Sequence, residues 1–287
     1  MILNDDFTSV LPEGILEYVE KTLSRVTSFK SEDFLIGELF KPSTHLLNNN
    51  GKLLRPTLLF LSAYAMDEPC GDLVDLAAAI ELLHVSSLIH DDIIDSGKTR
   101  RGTDTVNAKY GSNVALLAGN ALISKAIHLS SKYGKGVIDA VSSTALQMTA
   151  GELVDYGSKL NGNKMGIENY VEIASLKTAS LTGTASSIVA VYKKSDSVNA
   201  LHNYGFNLGM AFQIRDDILD FSEQDSKKGS LNIVSLMMEN GMDKDKAIVA
   251  ASELNHSYID NAINGLPESK SGKILGKYAR MIKAEPS

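Results

Sequence analysis

The sequence predicts one all-α domain that spans residues 1–287. Apolar residues recur at helical spacing along nearly the whole chain, and no convincing run alternates with the period of two that a β-strand requires. No repeat, low-complexity tract or linker breaks the chain, which has 287 residues of which 44% are hydrophobic. A chain of this size and composition is long enough to bury a large core, so we expect helices packed on helices.

The helices are predicted in order from these patterns. Residues 14–26 carry their apolar side chains on one stripe, which indicates an amphipathic helix. A second helix over 32–40 should stop at Pro42, and Pro56 suits the first turn of an apolar helix that runs through Met66. Further helices are predicted at 73–95, 112–133, 136–156, 167–191, 198–222, 231–239 and 243–263, with a polar loop at 98–111 and a short helix after Gly272.

The helix predicted at 73–95 has a recognisable signal at each end. Asp72 is expected to cap its start, and Gly97 stands where the end of a helix often needs left-handed backbone geometry. No Gly or Pro lies between Gly71 and Gly97. At ~1.5 Å per residue this helix would be roughly 35 Å long, enough to cross the core of a domain.

This long apolar helix ends in three carboxylates, Asp91, Asp92 and Asp95. The C-terminal end of a helix already carries negative partial charge, and unit charges ~4 Å apart repel by roughly 4 kcal/mol at an effective dielectric of 20. A solvated helix end is the simpler interpretation of a lone acidic pair. Because cationic residues follow directly, we predict instead that these carboxylates bind a hard divalent metal, Mg²⁺, which they share with phosphate.

A second Asp-Asp-x-x-Asp pattern ends another predicted apolar helix. It comprises Asp216, Asp217 and Asp220, and Gln213 precedes it by one turn. One such pattern is weak evidence, but two patterns that each close an apolar helix favour a common function. If the two helices face each other, their six carboxylates could hold several Mg²⁺ ions around one polyphosphate.

Cationic residues that suit phosphate lie near these helices. Lys52 and Arg55 are three residues apart at the entrance of a helix, where helix geometry favours an anion. Arg100 and Arg101 can bind phosphate oxygens in a bidentate way. Lys177 interrupts an otherwise apolar helix, and a local bend with a solvent-seeking lysine is the alternative interpretation.

These ordered motifs resemble the trans-isoprenyl (polyprenyl) diphosphate synthases. The resemblance runs from about Gly51 to Phe221 and rests on Gly51-Lys52-Leu53-Leu54-Arg55-Pro56, the histidine at 84, both aspartate patterns and the Lys177-Thr178 step. It implies a bundle of about ten or more helices around a deep central cavity, usually as a homodimer. The expected partners are isopentenyl diphosphate and an allylic prenyl diphosphate.

The resemblance also implies a role for each motif residue. Residues expected to bind substrate are Lys52, Arg55, His84 and Arg101 for the homoallylic diphosphate, and Arg100, Lys177, Thr178 and Gln213 on the allylic side. Expected metal ligands are Asp91, Asp95, Asp216, Asp217 and Asp220. The residues expected to take part in ionisation are Asp91, Asp92, Asp95, Arg100, Lys177 and Asp216. The implied reaction is ionisation, condensation and elimination with Mg²⁺ as cofactor, because metal and cations stabilise charge on the departing diphosphate.

Three departures from the family pattern and three alternatives stand beside this assignment. The segment 222–232, which usually forms a lid, is short, and only Lys227 or Lys228 could supply its lysine. Gly119-Asn120 stands for the usual Gly-Asp, and Asp155 replaces a usual glutamine after Gly151-Glu152. The alternatives are a short-chain farnesyl or geranylgeranyl synthase, a non-catalytic partner subunit, and a class I terpene cyclase.

The residues upstream of Asp91 should control the length of the product. Ser87 and Leu83 lie four and eight positions before Asp91, so they share its helix face, about 6 and 12 Å away. In the family, short-chain enzymes often place a bulky aromatic at a position matching Ser86 or Ser87. Both are serine here, which predicts a polyprenyl product longer than geranylgeranyl, with Leu83 or Ile80 as a deeper floor.

Composition limits the remaining function classes. The net charge of −7 and pI near 5.4 argue against a nucleic-acid surface. The single cysteine, Cys70, excludes an intrachain disulfide and favours a reducing compartment. We expect a cytoplasmic protein, because the N-terminus lacks the pattern of a signal peptide. No spanning helix is expected either, because no stretch approaches ~20 uninterrupted apolar residues.

Overall fold

The computed structural model describes residues 8–48, 51–161, 165–222 and 231–284. Helices dominate these residues, so the predicted all-α class is confirmed. The chain divides into two compact units, the first comprising Met1–Ala145 with Ile188–Ser195 and the second Leu146–Ser187 with Asp196–Ser287. The single domain over 1–287 and its central cavity stay predictions.

The first unit contains the α-helices up to the first part of the seventh, together with one short hairpin. Its elements are α1 (Ile15–Thr27), α2 (Gly37–Thr44), α3 (Leu54–Ala65), α4 (Val74–Ile94), β1 (Thr99–Arg100), β2 (Thr103–Asp104), α5 (Val106–Tyr110), α6 (Ser112–Ser130) and the start of α7 (Lys135–Asn161). Single 3-10 turns lie at Ser31–Phe34, Gly71–Leu73 and Ser131–Tyr133.

Two local predictions in this unit are wrong. Pro42 lies inside α2 instead of ending the helix, which a short helix tolerates at the loss of one backbone hydrogen bond. The segment predicted as a polar loop contains the antiparallel pair β1 and β2, in which Thr99 faces Asp104 and Arg100 faces Thr103. Strands of two residues are too short to produce an alternating pattern.

The central element of the first unit is α4, whose side chains from Leu76 to Leu83 are all buried. It packs against α6, and two contacts show how closely the two backbones approach. A Cβ atom added to Gly119 of α6 would lie 2.2 Å from His90 Nε2. The hydroxyl of Ser86 donates a hydrogen bond to the Gly119 carbonyl at 3.0 Å. Only glycine therefore fits at position 119.

The C-terminal end of α4 differs from the prediction in which residue is left-handed. Ser96 has φ 53°, whereas Gly97 does not adopt a positive φ. Gly97 is needed for space, because an added Cβ would lie 2.7 Å from Asp92 Oδ1. Asn107 of α5 donates to the carbonyls of Asp92 and Gly97, both at 3.1 Å. Thr105 donates to the Gly97 carbonyl at 2.8 Å. The predicted Asp72 cap makes no side-chain hydrogen bond to the start of α4.

The second unit is built around α10. Its elements are the remainder of α7, α8 (Ile167–Ala174), a π-helical turn (Ser175–Ala179), most of α9 (Ser180–Lys193), α10 (Val198–Ser222), α11 (Ile233–Glu239), α12 (Lys244–Asn264) and α13 (Lys270–Arg280). Two glycines of α10 allow close approach to the π turn and α9. An added Cβ would lie 2.5 Å from the Thr182 carbonyl oxygen at Gly205, and 2.7 Å from Ala179 Cα at Gly209.

Two helices have the length and hydropathy of a membrane span, Gly71–Ile94 and Ser112–Tyr133. In the first, 67% of the apolar window is buried inside the protein, as in the core helix of a soluble domain, whereas the second is only 39% buried. The expectation that no helix spans a membrane therefore stays a prediction.

Candidate active site

The first aspartate motif occupies the last turn of α4. Asp91 is half-buried and Asp95 is exposed, so both are accessible to a ligand. Asp92 has a different environment, with only 3% of its surface exposed. Arg100 Nε donates to Asp92 Oδ2 at 2.8 Å, and Arg100 Nη2 donates to Asp92 Oδ1 at 2.9 Å. Asp92 thus holds Arg100 in a bidentate pair and fixes the hairpin to the end of α4.

A second group in the first unit combines Arg55, Arg101, His84 and Glu81. Burial, followed by the positive charge of Arg55 and Arg101, lowers the pKa of His84 well below its usual value, so its imidazole is neutral at pH 7. Glu81 is buried, and this burial raises its pKa while Arg55 and Arg101 act in the opposite direction. The structure therefore brings three of the four residues predicted for the homoallylic diphosphate together. Lys52, the fourth, lies exposed three residues before Arg55.

The backbone around this group is packed tightly and is partly strained. An added Cβ at Gly51 would lie 2.9 Å from Arg101 Nη1, so the Gly51 backbone lies directly against the guanidinium group. Leu53, Ser96 and Arg101 all have left-handed backbone geometry, with φ of 49°, 53° and 52°. Each left-handed residue other than glycine costs about 1 kcal/mol or more, and such strain is found most often at functional sites.

In the second unit, Lys177 lies in the π-helical turn and faces two acidic side chains of α7. Lys177 Nζ is 2.5 Å from Glu152 Oε2 and 2.8 Å from Asp155 Oδ2. The predicted local bend is thus a π turn, which is often associated with functional sites.

A chain of hydrogen bonds connects the π turn to the second aspartate motif. Thr178 Oγ1 donates to Gln213 Oε1, and Gln213 Nε2 donates to Asp217 Oδ1, both at 2.9 Å. The other Asp217 oxygen accepts from the backbone N–H of Ile233 at 2.9 Å. Burial raises the pKa of Asp217 to about 6, although these hydrogen bonds act to lower it. Asp217 therefore holds Gln213 and the start of α11.

The most accessible carboxylates of the second motif belong to Asp216 and Asp220, which are exposed and four residues apart on α10. They repeat the arrangement of Asp91 and Asp95, and hard oxygen donors of this kind fit Mg²⁺. Among the described residues, no three His, Cys, Asp or Glu side chains gather closely enough to hold a metal by themselves. This agrees with Mg²⁺, which is usually bound by one or two carboxylates together with water and phosphate oxygens.

The three residues predicted to control product length have different environments. Ser86 is buried at 1% exposure and bonds to Gly119 of α6, which gives it a packing role. Ser87 is half-buried, and its hydroxyl donates to the His84 carbonyl at 2.8 Å. Leu83 is buried at 2% exposure.

Sequence reasoning missed several residues that organise the site. Glu81, Asn107 and Glu152 were not singled out for these roles, and neither was Asn232. Asn232 donates to the Asp217 carbonyl at 2.8 Å and caps α11. A buried acid one turn before a predicted ligand, as Glu81 is before His84, is a signal that could have been used. The lid lysines Lys227 and Lys228 lie outside the described residues.

Comparisons with known proteins agree with the fold and the motifs. The family model described as Polyprenyl synthetase matches residues 37–232. A nonaprenyl diphosphate synthase of Mycobacterium tuberculosis is 34% identical over 190 residues, which cover 65% of this chain and 56% of that protein. A geranylfarnesyl diphosphate synthase of Natronomonas pharaonis is 36% identical over 215 residues, which cover 67% of this chain and 63% of that protein. The chain thus spans about three fifths of the length of these two relatives.

A solved structure extends the likeness to nearly the full chain. The geranylgeranyl pyrophosphate synthetase from the archaeon Geoglobus acetivorans superposes with a TM-score of 0.81 at 28% identity, over 95% of this chain and 99% of that chain. The relatives are named for products of different length, so the likeness does not distinguish among them. By its sequence motifs, its helical fold and these matches, the chain belongs to the polyprenyl synthetase family.

Proposed function

We propose that this protein is a Mg²⁺-dependent trans-prenyltransferase, which condenses isopentenyl diphosphate with an allylic prenyl diphosphate. The main observation is the arrangement at each aspartate motif. In both, the outer aspartates are accessible, while the middle one is buried and holds another residue of the site. Carboxylates that served only solubility would not be divided in this way.

The proposed roles of the residues follow from their environments. When bound, Mg²⁺ would neutralise charge on the allylic diphosphate, with Asp91, Asp95, Asp216 and Asp220 as its protein ligands. Arg100 and Lys177 would stabilise the diphosphate as its bond to the allylic carbon breaks.

The homoallylic diphosphate would be bound by Lys52, Arg55 and Arg101. Because His84 is neutral, it would bind the same group through one N–H, without adding a charge. The double bond of isopentenyl diphosphate then attacks the allylic cation, and the departing diphosphate is a suitable acceptor for the proton that is lost.

One incubation tests this proposal against its alternatives. Purified protein is mixed with Mg²⁺, isopentenyl diphosphate and geranyl or farnesyl diphosphate, and the products are separated by chain length. A terpene cyclase would consume the allylic diphosphate without isopentenyl diphosphate, and a non-catalytic subunit would consume neither. Arg55→Ala should raise KM for isopentenyl diphosphate much more than KM for the allylic primer.

We also propose a product longer than geranylgeranyl, which the small side chain of Ser87 supports. Ser87→Phe should shorten the product by several isoprene units, because a bulky ring at this half-buried position would block a growing chain. Liquid chromatography of the dephosphorylated products measures the change. Ser86→Phe is the matched comparison, and we expect it to destabilise the protein, because Ser86 is packed against Gly119. A wild-type product that already stops at farnesyl or geranylgeranyl would contradict the proposal.

The contact between Gly51 and Arg101 gives a further prediction. Gly51→Ala should raise KM for isopentenyl diphosphate severalfold, because the added methyl would displace the Arg101 guanidinium. The effect on the free energy of unfolding should be small, since the clashing atoms end a flexible side chain. Gly71→Ala is the control, because a Cβ there meets no atom within 4 Å. Equal KM values for the two variants would show that Arg101 does not bind this substrate.

We propose that the protein acts as a homodimer. Val114 and Leu117 lie three apart on one face of α6 with 37% and 58% of their surface exposed, and Leu116 beside them is 49% exposed. An apolar helix face of this kind is expected to be covered by another chain. Light scattering should give twice the mass of one chain, and Leu117→Lys should halve that mass. A monomeric wild type would refute the dimer without affecting the proposed reaction.

A further inference from the structure

The ammonium group of Lys177 is held between two carboxylates on one helix of the second unit. Its Nζ lies 2.5 Å from Glu152 Oε2 and 2.8 Å from Asp155 Oδ2. The side chains of the three residues are only 21%, 12% and 8% exposed, in the order Lys177, Glu152 and Asp155. This is a largely desolvated cluster, in which ion pairs are less screened than on the surface.

The surrounding backbone is shaped to bring these groups together. Glu152 and Asp155 are three residues apart and therefore lie on the same face of α7. At Gly151, an added Cβ would lie 2.9 Å from both Lys177 N and Lys177 Cγ. The π turn is thus packed directly on α7, and a glycine at this position allows the lysine to reach both acids.

The charges of this cluster do not balance. Two carboxylates face one ammonium group, which leaves a formal charge of −1. In the first unit, by contrast, Arg100 is paired with the single carboxylate of Asp92. The second acid at Lys177 arises from the sequence itself, because Asp155 stands where the family pattern usually has an uncharged glutamine.

We infer that Glu152 and Asp155 are positioning residues that hold Lys177 in place and also limit how strongly it binds a diphosphate. The inference rests on the proposed function, in which Lys177 binds the diphosphate of the allylic substrate. One carboxylate would be enough to orient the lysine. The second offsets its charge, which weakens the binding of the substrate and, after reaction, of the released inorganic diphosphate.

Geometry makes the repulsion between these groups unavoidable. Acceptors that share one tetrahedral ammonium group at hydrogen-bond distance are only about 4.5 Å apart. A diphosphate oxygen bound to Lys177 would therefore lie near at least one of the two carboxylates. Removing one carboxylate should relieve this repulsion while the other continues to hold the lysine.

The test uses two substitutions that keep size and shape but remove one charge, Asp155→Asn and Glu152→Gln. Titration calorimetry with inorganic diphosphate in excess Mg²⁺ measures binding without turnover. We expect each variant to bind inorganic diphosphate about three- to tenfold more tightly than the wild type. KM for the allylic primer should fall by a similar factor, while KM for isopentenyl diphosphate stays the same.

Glu172→Gln is the matched control, because Glu172 is an exposed acid of α8 and its loss changes the net charge equally. Damage to the fold cannot explain tighter binding, so the sign of the change separates the two explanations. Unchanged or weaker binding in both variants would overturn the inference, as would equal tightening in the control. If one variant fails to fold, the other decides. A wild type that neither binds inorganic diphosphate nor condenses the substrates would refute the proposed function instead.

Discussion

Asp91→Ala and Asp216→Ala are each expected to reduce condensation to less than a tenth of the wild-type rate. Both carboxylates belong to helix ends where acids are electrostatically unfavourable, and each would lose a proposed ligand of Mg²⁺. The free energy of unfolding should change little, because Asp91 is only half-buried and Asp216 is exposed. Steady-state assays in Mg²⁺, with thermal melts of the same samples, measure both quantities.

Two exposed acids on other helices provide controls for the loss of charge. Glu20→Ala on α1 and Glu253→Ala on α12 should retain full activity. If Asp91→Ala or Asp216→Ala kept more than a tenth of the wild-type turnover, the proposal that both motifs bind metal would be wrong.

Gly119→Ala should be strongly destabilising and should also reduce turnover. The added Cβ would lie 2.2 Å from Nε2, 2.7 Å from Cδ2 and 2.9 Å from Cε1 of the His90 ring. Overpacking of this kind typically costs about 1–3 kcal/mol of unfolding free energy. Because His90 directly precedes Asp91, displacement of its ring should also move the first motif. Chemical denaturation and activity assays at a temperature where the variant is folded separate the two effects.

Gly136→Ala on α7 is the matched comparison. Its Cβ would meet Val191 Cγ1 at 3.5 Å, an ordinary contact distance. The substitution should therefore raise the free energy of unfolding by between zero and about 1 kcal/mol, because alanine is the better helix former. If Gly119→Ala were as stable as Gly136→Ala, the close approach of α4 and α6 would not exist in solution.

The parts of the fold that local pattern determines were predicted well. The helix predicted at 198–222 has those bounds in the structure, and the long apolar helix runs over Val74–Ile94. Helical periodicity and the spacing of aspartates are written along the chain, so they can be read without tertiary information. The same holds for the candidate ligands Asp91, Asp95, Asp216 and Asp220.

What the sequence could not show depends on contacts between distant residues. Nothing local indicates that Asp92 holds Arg100, or that Asp217 holds the start of α11. The prediction of left-handed geometry at Gly97 failed for a related reason. Gly97 makes room for the Asp92 carboxylate, and Ser96 takes the left-handed turn instead.

The three left-handed residues near the predicted diphosphate-binding side chains have a consequence for protein engineering. Leu53, Ser96 and Arg101 each keep a backbone conformation that glycine or asparagine adopts more easily. A search for heat-resistant variants would therefore favour replacing them, since relief of strain raises the melting temperature. Leu53 and Arg101 adjoin or belong to the group that would bind isopentenyl diphosphate. Selection for thermostability alone would therefore erode substrate affinity first at these positions.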